Sequence, residues 1–394
     1  MLKLGYFSHT NFSPSETFIY DLVKALSKEK DIDITYVTGR NTPLITDFPV
    51  KSIATNYSEQ SIVWAQRLYK IGQIKGENGY KWQTCFKKKI AQRQLNKAKL
   101  PLFDVAYIDY GTSAVLISEY LKEKKIPFIV HVHGYDVSTA LNDPTYKKDL
   151  LQLFSDANHI ITPSNHIARI LVTLGCPKSK LSAIYPVTNF DKIDAQTIKQ
   201  KTSHPSIVFL GRLTEKKNPI ALLHAFELVS QTIPNATLEI LGDGPLRGQL
   251  INRINACGLQ GKVTLHGIVN QQQAFKILQQ SHIYVQHSVT ATTGDQEGFP
   301  VSLAEAAAHG LPIVSTIHSG ITENVINGET GYLVQEYDYE TMAEKIICLI
   351  NDPALAQKLG MNGRKHILEL CKPGLRTEKI KTLLYEASQE YKNH

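Results

Sequence analysis

Short apolar runs alternate with helix-period segments through most of this chain, and the series stops at a polar interruption and then begins again. Residues 2–8, 32–38, 104–109, 128–132, 159–162 and 181–185 read as strands, with helices over 18–28 and 114–122. Residues 186–205 are polar, lysine-rich and without a period, which marks a linker. Strand-like runs then return at 206–210, 237–241, 263–266, 283–286, 313–315 and 331–334. Strands separated by helices must be joined by right-handed crossovers, and that gives parallel sheets. The expectation is an α/β protein of two doubly wound, Rossmann-like domains facing across a cleft. A chain of 394 residues suits two cores of about 150–200 residues better than one. The boundaries are expected at 1–187 for the first domain, 188–204 for the linker and 205–374 for the second. A last helix, 375–394, is expected to pack back on the first domain.

The composition, 42% hydrophobic and 20% charged, is that of a globular protein without a membrane-spanning run. The first residues read as a strand and not as a signal peptide. Five scattered cysteines without metal-type spacing point to a reducing compartment and no zinc site. Charge is unevenly placed. Residues 61–100 hold ten Lys or Arg against Glu77, a local charge of +9 that leaves the rest of the chain at −2. Trp64, Tyr69, Tyr80, Trp82 and Phe86 are interleaved with them. Such a segment suits an acidic membrane surface or a pyrophosphate-linked acceptor, or is a plain solvated helical face. No nucleic-acid-binding motif accompanies it.

The stretch richest in chemistry runs from Glu297 to Glu305. Glu297 ends a polar loop, 290–296; helix formers follow from about 300, with Pro300 tolerable in the first turn and Gly310 a natural stop. Glu305 is then expected about two turns into the helix, in an otherwise apolar run where an unpaired charge costs several kcal/mol. Two carboxylates spanning about 12 Å of helix, with a helix N-terminus between them, suit two polyhydroxylated rings joined by a diphosphate. The bland alternative is an amphipathic helix with solvated acids.

Other loops follow strand ends, where open parallel sheets bind ligands. Ser13-Pro14-Ser15-Glu16 after the first strand is a capping box, and Ser15 and Glu16 are also acceptor-side candidates. The run His131-Val132-His133-Gly134-Tyr135-Asp136 ends another strand, so His133 and Asp136 are candidates. In the second half, Arg212 and Lys217 share a strand-to-helix loop able to hold a diphosphate. Gly242-Asp243-Gly244-Pro245 lacks the third glycine of a dinucleotide fingerprint and reads as a tight turn.

Taken together, Glu297-x7-Glu305, the Gly211-Arg212…Lys217 loop, Gly242-Asp243-Gly244-Pro245 and His133-Gly134 resemble the retaining glycosyltransferases of the GT-B fold, family 4 or group 1 type. More narrowly, Pro14-Ser15-Glu16-Thr17-Phe18-Ile19 and His318-Ser319-Gly320-Ile321 are similar to the branch that builds exopolysaccharides of the colanic-acid type. The resemblance implies that Glu297 holds donor-sugar hydroxyls and Glu305 the ribose, while Arg212 and Lys217 bind the diphosphate. It implies that His133 contacts the transferring sugar, that backbone at Gly298, Phe299 and Pro300 approaches sugar and phosphate, and that Val269 faces the base. Asn218 stands where glycine often follows the lysine. The implied reaction moves a hexose from a UDP-type nucleotide sugar to a saccharide, lipid-linked acceptor with retention. Cationic side chains would take the place of a metal, and no cofactor is implied. The implied setting is cytoplasmic, peripheral at the inner face of the plasma membrane. A GT-B epimerase, a phosphorylase and a non-catalytic nucleotide-sugar-binding subunit are the competing readings.

Overall fold

A computed structural model describes residues 1–12, 17–58, 63, 77–186, 193, 204–372 and 374–392. Of the expected linker, only residues 193 and 204 are among them. The chain divides into two compact units, Met1–Tyr185 with Gly374–His394, and Pro186–Pro373.

The first unit is built on seven parallel strands: β1 (Leu2–Ser8), β2 (Ile32–Thr38), β3 (Lys51–Ala54), β4 (Val105–Asp109), β5 (Phe128–His131), β6 (His159–Thr162) and β7 (Leu181–Ala183). Their order in the sheet is β3-β2-β1-β4-β5-β6-β7. β4 is buried along its whole length, as a central parallel strand covered on both faces must be. The short edge strand β3 escaped the sequence reading because its four residues, Lys-Ser-Ile-Ala, carry no apolar alternation. Helices α1 (Thr17–Leu26), α2 (Glu77–Lys97), α3 (Gly111–Glu123), α4 (Pro144–Asp156) and α5 (Asn165–Thr173) connect the strands. Asp143 accepts the Thr145 amide at 2.8 Å and Pro144 opens the helix behind it, so α4 starts where its sequence stops any extension. Much of the basic stretch 61–100 lies outside the described residues; within α2, Lys88 pairs with Asp149 of α4 at 2.9 Å.

The second unit has six parallel strands: β8 (Ser206–Leu210), β9 (Thr237–Leu241), β10 (Val263–Gly267), β11 (Ile283–Gln286), β12 (Ile313–Thr316) and β13 (Gly331–Val334). They lie in the order β10-β9-β8-β11-β12-β13. Its helices are α6 (Pro219–Thr232), α7 (Arg247–Ala256), α8 (Gln271–Gln280), α9 (Val301–Ala308), α10 (Ile321–Asn324), α11 (Tyr339–Asn351) and α12 (Pro353–Leu370). In both sheets the strand order runs outward in two directions from one adjacent pair, β1/β4 and β8/β11. The loops leaving such a pair at their carboxyl ends diverge to opposite faces and open a crevice. That topology places each candidate site.

The last helix, α13 (Leu375–Lys392), belongs to the first unit although it comes from the other end of the chain. Ile380, Leu384 and Ala387 are buried in one cluster with Leu4, Tyr6, Val105 and Ile129. Lys381 Nζ reaches Glu29 and Asp31, each at 2.7 Å. Leu384→Ala is expected to cost about 2–5 kcal/mol, because it removes a fully buried side chain from a shared core. Chemical denaturation measures this; a loss below about 1 kcal/mol would mean α13 is a loose appendage.

Candidate functional site

At the β8/β11 pair, the loop 211–218 and the loop 287–300 run side by side. Lys217 Nζ lies 2.9 Å from Glu297 Oε1 and 3.4 Å from Gln286 Oε1. Ser288 Oγ donates to the same carboxylate oxygen at 3.2 Å. Lys216 Nζ donates to Asp295 at 3.1 Å and to the Gln296 carbonyl at 3.3 Å. Glu215 accepts from the Thr292 amide at 2.7 Å and from its hydroxyl at 2.9 Å. Three consecutive charged residues of one loop therefore clamp the other, and Arg212 stands exposed in the first.

Burial acts to raise the pKa of Glu297, but the charges of Lys217 and then Lys216 outweigh it and hold the carboxyl at about 2. Lys217 is pulled down by burial, with Glu297 opposing and the positive charges of Lys216 and Arg212 adding to the fall. The two partners are unequal because Glu297 faces several cations while Lys217 faces one anion. The pair is thus an ionised carboxylate held by a desolvated ammonium.

Glycines set the approach of the backbones. Gly242 has φ 134°, and a Cβ there would lie 2.0 Å from the Gly211 carbonyl oxygen. The tight turn read from Gly242-Asp243-Gly244 packs directly under the basic loop; the Leu213 amide donates to the Asp243 carbonyl at 3.0 Å. Asn218 adopts φ 40°, ψ 60°, and its side chain caps α6 through the Ala221 amide at 3.2 Å. This left-handed conformation is why glycine or asparagine fits the position.

Helix α9 begins at Val301, with Pro300 as its N-cap at φ −72°, ψ 108°. Glu305 is therefore the fifth helical residue, in the second turn and nearer the helix start than its sequence position suggested. The helix starts late because Pro300 takes an extended backbone and not the helical first turn. Glu305 and Glu297 are both buried, at 8% and 5% exposure. The fully buried Tyr284 phenol is bonded to Ser302 Oγ at 2.9 Å and to Gln286 Oε1 at 3.1 Å. Burial first, then the charges of Glu305 and Glu297, raise its pKa against Ser302 and the Leu210 carbonyl, which lower it. Phe299 and Pro300 are buried and Gly298 half-buried along the connection. Val269 is half-buried after edge strand β10, one strand removed from β8.

Several participants were missed in the sequence. Gln286, His287 and Ser288 are fully buried polar residues at the end of β11, and a polar triplet directly after an apolar strand is a signal that could have found them. Ser315 and Thr316 at the end of β12 brace this loop, donating to the carbonyls of Gln286 and Ser288 at 2.7 and 2.6 Å. His318 Nε2 accepts the Glu297 amide at 3.1 Å, and its Nδ1 lies 2.6 Å from Glu336 Oε1.

In the first unit, His133 follows β5 and starts a single 3₁₀ turn, Gly134–Val137. Asp136 is fully buried; one carboxylate oxygen accepts the His133 amide at 2.8 Å and the other the Thr112 amide at 3.0 Å. Asp136 therefore braces the turn, one backbone amide on each oxygen. The His133 ring packs against Tyr110, His131 and Phe18 at centroid distances of 4.4, 4.3 and 5.0 Å. Tyr110 sits at φ 72°, a conformation that costs a non-glycine residue about 1–3 kcal/mol and recurs at functional sites. Below the ring lies Asp109, fully buried, with Oδ1 3.5 Å from His133 Nε2 and 3.7 Å from His131 Nδ1. Tyr6 donates its hydroxyl to the other oxygen of Asp109. Burial holds His131 well below the usual histidine range, helped by His133 and by Arg376 of α13. Among the described residues, Asp109, His131 and His133 form the group able to offer a metal three ligand atoms, all within 4.8 Å of one another. Ser15 and Glu16 lie outside the described residues.

Two family models match consecutively: "Glycosyltransferase Family 4" over residues 15–192 and "Glycosyl transferases group 1" over 190–366. The chain belongs to the group 1 glycosyltransferases of the GT-B fold. This group 1 chain is 30% identical over 214 residues to the putative colanic acid biosynthesis glycosyltransferase WcaL of Escherichia coli, covering 54% of the chain and 53% of WcaL. It is 30% identical over 250 residues to the amylovoran biosynthesis glycosyltransferase AmsK of Erwinia amylovora, covering 62% and 61%. The matches thus span about half to three fifths of these relatives. The GT-B fold is shared with Anabaena Alr3699/HepE, solved with UDP and glucose, at TM-score 0.72 and 15% identity, over 98% of this chain and 100% of that one. Sucrose-phosphate synthase from Thermosynechococcus elongatus gives TM-score 0.74 at 18% identity, over 98% and 99%. No helix among the described residues is long and apolar enough to cross a membrane.

Proposed function

We propose that this group 1 protein transfers a hexose from a UDP-linked sugar to a lipid-linked saccharide, with retention at the anomeric carbon, in cell-surface polysaccharide synthesis. The observation that carries the reading is the Lys217–Glu297 pair at 2.9 Å, buried at the switch point of the second sheet. Its carboxylate is held ionised, so it can accept two sugar hydroxyls, and its ammonium can turn to a diphosphate. Arg212 in the same loop adds the second cation. Relatives named for colanic acid and amylovoran synthesis support the polymer context, and a neighbour solved with UDP and glucose supports the donor class. The motif resemblance to retaining enzymes supports retention.

In mechanism, Lys217 and Arg212 neutralise the nucleoside diphosphate as its bond to the sugar lengthens, so charge development needs no metal. Glu305 holds the ribose and Glu297 the sugar hydroxyls. His133, in the first unit, contacts the transferring sugar. The acceptor side belongs to that unit, and the basic stretch 61–100 draws the protein to the anionic inner face of the plasma membrane.

The experiment supplies isotope-labelled UDP-glucose, UDP-galactose, UDP-N-acetylglucosamine and GDP-mannose with lipid-linked saccharide acceptors and excess chelator. Turnover with an α-linked product, lost in Glu297→Ala and Arg212→Ala, is expected. No binding or turnover of any donor sinks the reading, an inverted product sinks retention, and chelator sensitivity would move attention to Asp109, His131 and His133. A parallel arm tests acidic vesicles, which should retain the protein at low salt and release it as salt rises.

A further inference from the structure

We infer that His318 and Glu336 are positioning residues for the sugar-binding end of the donor site, acting through the backbone of Glu297. This inference rests on the donor reading above and adds two residues to it. The ends of β11, β12 and β13, three neighbours in the second sheet, each contribute one link. From the β11 loop, the Glu297 amide donates to His318 Nε2 at 3.1 Å. His318 stands two residues beyond β12 and is nearly fully buried, with 2% of its side chain exposed. From beyond β13, Glu336 Oε1 lies 2.6 Å from His318 Nδ1. Glu336 also accepts the Thr290 amide at 2.9 Å and the Thr290 hydroxyl at 3.4 Å, at the start of the same β11 loop.

The hydrogen bonds dictate the proton. Nε2 accepts a backbone N–H, so the ring proton sits on Nδ1, where the Glu336 carboxylate receives it. Glu336 thereby fixes both the tautomer and the ring plane, and holds the two ends of loop 290–297 at the separation set by β12 and β13. Without His318, the Glu297 amide would be left buried and unpaired, a cost the loop relieves by moving. Movement of that backbone carries the Glu297 carboxylate away from where it meets sugar hydroxyls. Lys217 and Arg212 sit in a different loop, so the diphosphate grip should survive.

Titration calorimetry of wild type, His318→Ala, His318→Gln and Glu336→Ala tests this. The probes are UDP, GDP and whichever of UDP-glucose, UDP-galactose, UDP-N-acetylglucosamine or GDP-mannose the wild type prefers. His318→Ala and Glu336→Ala are expected to cut the affinity advantage of the nucleotide sugar over its nucleoside diphosphate about tenfold. Their Kd for the diphosphate itself should stay within about twofold. His318→Gln, whose amide oxygen can accept the Glu297 N–H, should lose less than about threefold. An unchanged advantage in His318→Ala overturns the inference. So does an equal loss of nucleotide and nucleotide sugar, which would make His318 a general support of the fold. Failure of the wild type to bind any probe overturns the donor reading itself, and is distinct from both.

Discussion

Lys217→Met is expected to abolish turnover and to destabilise the protein by about 3–5 kcal/mol, whereas the double variant Lys217→Met/Glu297→Gln recovers most of the stability and none of the activity. The single change strands a carboxylate that is 5% exposed, and a buried charge without its partner is far more costly than a buried pair is beneficial. Among the described residues, Ser288 Oγ at 3.2 Å is the hydrogen-bond donor that would remain on that oxygen. The double change removes both charges together, so the coupling energy in a double-mutant cycle should be large and of compensating sign. Chemical denaturation of the four proteins measures it. A single variant within about 1 kcal/mol of wild type would mean water already reaches the carboxylate and the pair is not a buried one.

The same pair sets an acid limb. Glu297 titrates at about 2, below its ordinary value of 4.5, so the folded state binds this proton less readily than the unfolded chain. Its contribution is complete above about pH 4.5 and is lost as pH falls toward 2. Acid unfolding should therefore be shallower in the double variant than in wild type over that window.

The second large effect is expected at Gly320. A Cβ on this residue would lie 2.0 Å from the Gly298 carbonyl oxygen and 3.4 Å from the Phe299 Cα. No rotamer relieves a backbone clash, so Gly320→Ala must push apart the loop after β12 and the connection between Glu297 and α9. Donor binding should fall by at least about a hundredfold, with a stability loss of about 2–4 kcal/mol. Gly328→Ala is the control: φ is 78° there, yet no atom lies within 4 Å of the added carbon, so the cost is conformational alone, about 1–2 kcal/mol. Thermal unfolding and donor titration of both variants separate the cases. If Gly320→Ala binds the donor like wild type, the close approach of the two loops is not a requirement of the site.

Much of the site was legible because it depends on local chemistry. Strand ends announce themselves through a glycine or polar residue after an apolar run, and ligand loops follow strand ends in parallel sheets. That logic led to Arg212, Lys217, His133 and Glu297. It gave no role to His318, Glu336, Gln286 or Asp109, since each matters through a partner on another strand: 18 residues separate His318 from Glu336, and 22 separate the strand-end pair Asp109 and His131 that face each other in register. Asp136 sits in the expected turn, but only the tertiary structure shows that its two oxygens also accept the His133 and Thr112 amides.

By itself, then, the sequence determined the class of fold, the two strand-and-helix series and the loops that carry charge. Those follow from periodicity and turn chemistry, which act over a few residues. Tertiary structure alone decided that Lys217 meets Glu297, that α13 crosses back to complete the first unit, and that a histidine after β12 holds a glutamate after β11. The physical reason is that burial and pairing are settled by strand order, and no local pattern encodes which strands become neighbours.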